Sequence, residues 1–236
     1  MSKRFEELDW RETPIGEISL RRRLDPQLKV DVYEVKLGDE FLMSSAFTVA
    51  EEALASLGLA ALDHDDLYVV VGGLGLAYTA GTVLADDRVA SLHVVEYLEA
   101  VIDWHEQKLL PLSPAITDDP RCHLVHGDFF ALVAGQEGFG QGTPAKVDAV
   151  LLDIDHTPTH VLHPSHASFY TRDGLRRVAD RINAGGVFAL WSDQAPDEGF
   201  LATLREVFAT AEGHVVEFAN PLTGGTSLNG VYVARR

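Results

Sequence analysis

Two short segments carry side chains able to do chemistry. The first is VLLDIDHTP, residues 150–158, in which Asp153, Asp155 and His156 follow an apolar run. A carboxylate beside a cationic amine orients it and takes its proton before the nitrogen attacks. A histidine, with an ordinary pKa of about 6.5, can do the same. Asp153 is the first candidate base, with Asp155 and His156 next. The second segment is VVVGGLGLAYTAGTVL, residues 69–84, where a β-branched run ends at Gly72, Gly73 and Gly75. Without Cβ atoms the chain turns through positive φ and its backbone can approach a ligand closely. The helix expected next points main-chain amides at the same place.

Two further acids complete the constellation. Glu96 closes the run LHVVE, 24 residues after Gly72. An acid at that spacing accepts hydrogen bonds from ribose hydroxyls. Asp128, in VHGDFF, is placed to reach an adenine amino group, with Phe129 beside the ring. Four successive apolar runs therefore stop at a glycine turn or an acid. That combination is far more specific than any one of its members.

The segment DHTPTHVLHPSHASFY adds His156, His160, His163 and His166. Imidazole is a common metal ligand, but Pro158 and Pro164 break any single helix that would align the four. The sequence has no H-E-x-x-H pattern, and a loop over the site is the expectation rather than a metal centre. Trp191, Ser192 and Asp193 end another apolar run and could wall an acceptor pocket. Trp104 reads as core and His105 as surface.

The elements that must position these residues follow from periodicity. Residues 1–13 are charged and read as a surface-laid or mobile arm. From Ile15 to Met43, apolar and polar residues alternate between the turn signals LDPQ and LGDE, which predicts a small antiparallel β-unit. Arg21, Arg22 and Arg23 within it read as charges on an edge strand. A helix is expected over residues 47–57. Strands and helices then alternate to residue 209, and two antiparallel strands close the chain. Thr171 is a candidate helix N-cap. Unalternated apolar strands at 69–71 and 149–152 are the mark of a doubly covered parallel sheet. The division expected is residues 1–45 for the arm and β-unit, and 46–236 for the α/β domain.

Composition narrows the function classes. With 19 basic and 36 acidic residues the formal charge is −17, which disfavours nucleic acid as a partner and favours cationic or neutral small molecules. No apolar run reaches the ~20 residues of a membrane span, and the N-terminus carries no apolar signal region. A single cysteine, Cys122, excludes an intramolecular disulfide framework and fits a reducing cytoplasm.

The order of elements and the four strand stops resemble the class I S-adenosylmethionine-dependent transferases, and more narrowly the spermidine synthase (polyamine aminopropyltransferase) family. VVVGGLGLA is similar to that family's GGGDGG-type loop, VVEYLEAVIDWHEQ to its ribose-binding strand and helix, HGDFFAL to its adenine-contacting turn, and VDAVLLDIDHTP to its catalytic D-x-x-D-P segment. The resemblance implies a doubly wound, mainly parallel Rossmann-like α/β sheet preceded by a small N-terminal antiparallel β-unit. It implies Gly72, Gly73 and Gly75 in the nucleoside pocket, Glu96 on the ribose, Asp128 on the adenine and Asp153 as general base. It also implies an amine acceptor and a homodimer, with S-adenosylmethionine or its decarboxylated form as co-substrate.

This sequence departs from the family at three places. Where the family's glycine loop carries an aspartate that grips the aminopropyl amine, this chain reads at or beside Gly75. Losing that charge favours a ligand that keeps its carboxylate, S-adenosylmethionine itself. His156 takes the place of the second aspartate of D-x-x-D-P. MSSAFTVAEEA stands where the family has its Tyr-His-Glu acceptor segment. Three readings follow: an aminopropyltransferase, a methyltransferase on the same scaffold, or a nucleoside-binding relative without catalysis.

Overall fold

The computed structural model describes residues 5–135, 138–140, 142–220 and 224–236. Residues 1–4 of the expected arm, and positions 136, 137 and 141 of the glycine-rich loop, lie outside the described residues. The chain opens with β1 (Phe5–Thr13), β2 (Gly16–Leu24), β3 (Asp31–Leu37) and β4 (Glu40–Ser44), which form one antiparallel sheet in that order. Residues 5–13 are thus a paired strand and not an arm. Charge pairing explains it. Arg22 holds Glu6 of β1 at 2.6 Å, Arg11 holds Asp9 and Asp103, and the Trp104 indole donates to Asp9. β2 consequently lies inside the sheet, so the arginine triplet is not at an edge. Arg23 instead joins Asp25 and Glu34.

The larger sheet has seven strands in the order β10-β11-β9-β8-β5-β6-β7. These are β5 (Leu67–Gly72), β6 (Val89–Glu96), β7 (Cys122–His126), β8 (Val147–Leu152), β9 (Ile182–Ser192), β10 (Thr210–Asn220) and β11 (Gly225–Arg235). The five strands from β9 to β7 are parallel, and β10 and β11 run antiparallel, as the sequence leads one to expect. The helices are α1 (Val49–Ala60), α2 (Tyr78–Leu84), α3 (Glu99–Glu106), α4 (Ser113–Thr117), α5 (Phe129–Ala134), α6 (Arg172–Asp180) and α7 (Glu198–Arg205). α3 ends at Glu106, ahead of any proline, where Lys108 turns through a φ of +57°, and Pro114 lies in the first turn of α4, where its missing N–H costs nothing. Thr171 caps α6 by accepting from the Gly174 amide.

Strand pleating sends alternate residues to opposite faces. Val69 and Val71 join a core with Leu54 of α1, Val83 of α2, Trp104 of α3 and Ile18 of β2. Val70 and Leu152 join a second core with Phe129, Leu175 and Leu204 of α5, α6 and α7. Helices cover both faces, and the small sheet packs on the first. The chain runs from β5 toward β7 on one side and returns through β8 and β9 on the other. The direction of winding therefore changes between β5 and β8, and ligands of such sheets bind outside the carboxyl ends at that point. Among the described residues no helix is long and apolar enough to cross a membrane.

Candidate functional site

A cavity of about 570 Å³ opens at the carboxyl ends of β5, β6 and β8, roofed by β3 and β4. Its floor is built on the glycine turn. Each glycine there answers a different demand. A Cβ on Gly72 would lie 2.8 Å from the Phe129 ring and 2.9 Å from Leu152, so this position lets the aromatic ring pack under the turn. A Cβ on Gly73, where φ is +95°, would lie 2.2 Å from the Asp153 carbonyl oxygen. Gly73 is the point where two strand ends touch: its amide bonds Val95, while the Asp153 amide bonds Gly72. Gly75, at φ +47°, faces the Met43 thioether of β4, 2.9 Å from where its Cβ would stand. Gly73 and Gly75 line the cavity and Gly72 supports it from behind.

Glu96 ends β6 inside the cavity. Its carboxylate accepts from the Leu74 amide at 2.9 Å and the Leu98 amide at 2.8 Å, which fixes its orientation. Burial raises its pKa, and the backbone amides of Leu98, Leu74, Gly75 and Tyr97 oppose that rise. Asp128 lines the cavity as the N-cap of α5; one oxygen accepts from the Phe130 and Ala131 amides. Phe129 is buried beside it, and Phe130 stacks on His166 with ring centroids 3.9 Å apart.

Asp153 lines the cavity at the end of β8, where the Thr79 hydroxyl donates to it at 2.8 Å. Burial pushes it up to about 6, against the lowering effect of that hydrogen bond. Asp155 is placed differently. It is 1% exposed and absent from the cavity wall. It accepts from the Tyr170 hydroxyl at 2.8 Å, the Leu162 amide at 2.7 Å and His166 at 2.9 Å. A carboxylate so engaged braces the loop that follows β8 and does not face a reacting group. Burial drives the Tyr170 phenol well above its ordinary range.

The histidine string divides among these tasks. His156 lines the cavity and reaches across to Glu40 of β4 at 2.8 Å. The His160 ring lies 4.9 Å from that of His156. His163 caps the 3-10 turn Pro164–Ser168 by accepting from the Ser165 amide, and His166 holds Asp155. Among the described residues no three His, Cys, Asp or Glu side chains are grouped as metal ligands.

Two residues that the sequence does not single out for the site, Glu51 and His105, belong to it or support it, and Trp191, which the sequence offers as a pocket wall, does line the cavity. Glu51, in the first turn of α1, lines the cavity. Burial first, then the charge of Asp153, pushes it up to about 8. His105 is fully buried, not at the surface; it donates to the Gly75 carbonyl at 2.9 Å and accepts from Ser113 at 3.2 Å, so it props the glycine turn from outside. Burial lowers its pKa, which keeps the ring neutral. Trp191 of β9 lines the cavity, and its indole N–H has no hydrogen-bond partner among the described residues. The signal for Glu51 and His105 was slight, since each sits one position from a like-charged or aromatic neighbour on an amphipathic helix.

No family model and no curated protein sequence matches this chain. Solved structures do. Spermidine synthase from Thermotoga maritima superposes with a TM-score of 0.70 at 18% identity, over 97% of this chain and 72% of that one. A spermidine synthase in complex with the transition-state analogue AdoDATO gives 0.72 at 18% identity, over 97% and 73%. The fold is that of spermidine synthase. Human methyltransferase-like protein 13 in complex with SAH also matches, with a TM-score of 0.57 at 19% identity, over 78% of this chain and 81% of that one. The spermidine synthase match extends over nearly the whole chain, whereas the methyltransferase match takes in about four-fifths of it.

Proposed function

We propose that the protein transfers an alkyl group, specifically aminopropyl, from an adenosyl sulfonium to the nitrogen of an amine. The observation that carries this reading is the charge of the cavity. Glu51, Glu96, Asp128 and Asp153 line it, and no described lysine or arginine does. Uncompensated carboxylates in a water-poor cavity attract cations and repel anions. A sulfonium is a cation, and so is an amine at neutral pH.

The residues present fit an adenosyl group. Glu96, its orientation set by two amides, presents lone pairs for ribose hydroxyls. Asp128 keeps an oxygen free of its N-cap bonds for an adenine amino group, with Phe129 and Phe130 supplying apolar surface beside it. That a spermidine synthase of similar fold is solved in complex with the transition-state analogue AdoDATO supports the reading at the level of the fold. The lining also bears on which sulfonium enters. The absent aspartate near Gly75 favours a donor with its carboxylate, but four acids with no described lysine or arginine beside them argue the other way and with more charges. Decarboxylated S-adenosylmethionine is therefore the proposed donor.

In the reaction, Asp153 takes a proton from the acceptor's ammonium. The freed lone pair attacks the carbon attached to sulfur. The C–S bond breaks with its electron pair going to sulfur, which leaves a neutral thioether and an alkylated ammonium. The protein aligns nitrogen, carbon and sulfur and removes the proton. Incubation with each sulfonium and a panel of diamines, followed by mass analysis, tests this. An aminopropylated diamine from the decarboxylated donor alone is expected. A methylated product from S-adenosylmethionine would establish methyl transfer instead, and binding without turnover would leave a nucleoside-binding protein. Asp153→Asn is expected to lower kcat by about 10²- to 10⁴-fold while adenosyl binding persists.

A further inference from the structure

We propose that Glu51 is a second carboxylate of the reacting centre, sharing one proton with Asp153 until the acceptor's ammonium displaces that proton and is held by both. The inference rests on the amine-alkylating reading above and goes beyond it, because it names the group that selects and discharges the acceptor.

The acids of the interior and the cavity differ in what satisfies them. Glu96 has main-chain amides, and Asp128 has the amides it caps. Asp155 has a phenol, an amide and an imidazole, while Asp25 and Glu34 have Arg23. Apart from the backbone amide of Glu51 itself, Glu51 and Asp153 have between them one hydroxyl. Thr79 Oγ1 donates to Asp153 Oδ2 at 2.8 Å and lies 3.3 Å from the Glu51 carbonyl oxygen, so a single residue of α2 ties the base of one acid to the head of the other. Both acids line the same cavity, and no described lysine or arginine lines it with them.

Two carboxylates at close quarters without a cation cannot both stay ionised, and the pair retains a proton. Burial is the largest influence on Glu51 and favours its protonated form, and its own backbone amide is the one group that opposes this. After burial, Asp153 and Glu52 both raise its pKa; the Tyr78 phenol of α2 is raised by burial first and then by both glutamates, against a hydrogen bond with Ser45. The loop after Asp153 also puts His156, His163 and His166 on the cavity wall, and each is engaged elsewhere: His156 with Glu40, His163 with Ser165 and His166 with Asp155. An entering ammonium supplies the missing positive charge. The shared proton then leaves to solvent, both carboxylates bind the nitrogen's hydrogens, and one of them accepts the proton that the amine must lose before it attacks. The neighbouring indole N–H of Trp191 cannot serve a cation, which leaves the carboxylates as the acceptors for the amine.

Calorimetry of 1,4-diaminobutane binding to the whole protein saturated with methylthioadenosine, at pH 7 in buffers of different ionisation heat, reads the proton directly. Release approaching one proton per amine bound is expected of the native chain. Glu51→Gln should bind the amine at least tenfold more weakly and release no proton. It should also move the acid limb of kcat/KM down by about one pH unit, because Asp153 then ionises without a like charge beside it. Glu51→Asp should restore part of the proton release. The native measurement needs no variant, so misfolding cannot hide the answer. Amine binding and turnover with no proton released, or a Glu51→Gln titration matching the native one, would overturn the role of Glu51 and leave the alkyl-transfer reading standing. Failure of the native chain to bind methylthioadenosine or any amine would overturn both.

Discussion

At the scale of single residues, the carboxylates of the cavity set how stability varies with pH. Glu51 is raised from 4.5 to about 8 in the fold, and Asp153 is raised too. Between those values the unfolded chain has lost protons that the folded chain keeps. The unfolded state thus binds fewer protons, and stability falls as pH rises through that window. One retained proton gives a slope of at most about 1.4 kcal/mol per pH unit. Denaturant titrations from pH 5 to 8 should show the native chain losing stability relative to Glu51→Gln, with the gap widening as pH rises; parallel curves would mean that Glu51 ionises normally. Gly73 makes a different prediction. Its positive φ and the Asp153 carbonyl 2.2 Å from any Cβ leave no room for a side chain. Gly73→Ala should cost about 2–4 kcal/mol by thermal or denaturant unfolding. The three glycines read in sequence as one ligand cradle, and this is where that reading stops. A glycine needed by a ligand and one needed by a neighbouring ring look the same in one dimension. Only the Phe129 ring behind Gly72 separates them. Asp155 was likewise indistinguishable from Asp153 by type and spacing, but the partners that claim it come from residues 162, 166 and 170, and no local pattern announces them.

At the scale of elements, the parallel strands were legible because burial on both faces leaves uninterrupted apolar runs, as in β5 and β8. β1 was not, because its sequence FEELDWRET alternates charges that become cross-strand and cross-sheet pairs only once β2 and α3 lie alongside. The same small sheet carries the roof of the cavity. Its β3–β4 hairpin contributes Met43 against Gly75 and Glu40 against His156. The His156–Glu40 contact is the tie between this roof and the loop following Asp153, and Glu40 is itself half-exposed, so its energetic worth is small. Glu40→Ala should therefore raise KM for the acceptor by no more than about fivefold, with kcat nearly unchanged. A collapse of kcat would show instead that the tie positions the reacting groups. Asp155→Ala acts on the other end of the loop and should cost more, about 2–4 kcal/mol, because it strands the Tyr170 hydroxyl in a buried site.

At the scale of the whole molecule, a formal charge of −17 surrounds a cavity whose acids share its wall with no described lysine or arginine. Such a field raises the local concentration of cations and accelerates their encounter with the site, and salt weakens it. The Debye length falls from roughly 30 Å at 0.01 M ionic strength to about 10 Å at 0.1 M. Over that range the general field of the surface is lost, while contacts inside the cavity are screened much less. Steering acts on encounter and not on the bound complex, so kcat/KM for a diamine should fall by about tenfold across it and kcat should stay within a factor of two. The charge of the acceptor decides whether the field or the pocket is responsible. A dication feels the field twice as strongly as a monocation of similar length, so the logarithm of kcat/KM should fall about twice as steeply for 1,4-diaminobutane as for butylamine. Equal slopes for the two amines would place the discrimination wholly within the cavity, at Glu51 and Asp153, and would reduce the acidic surface to a matter of solubility.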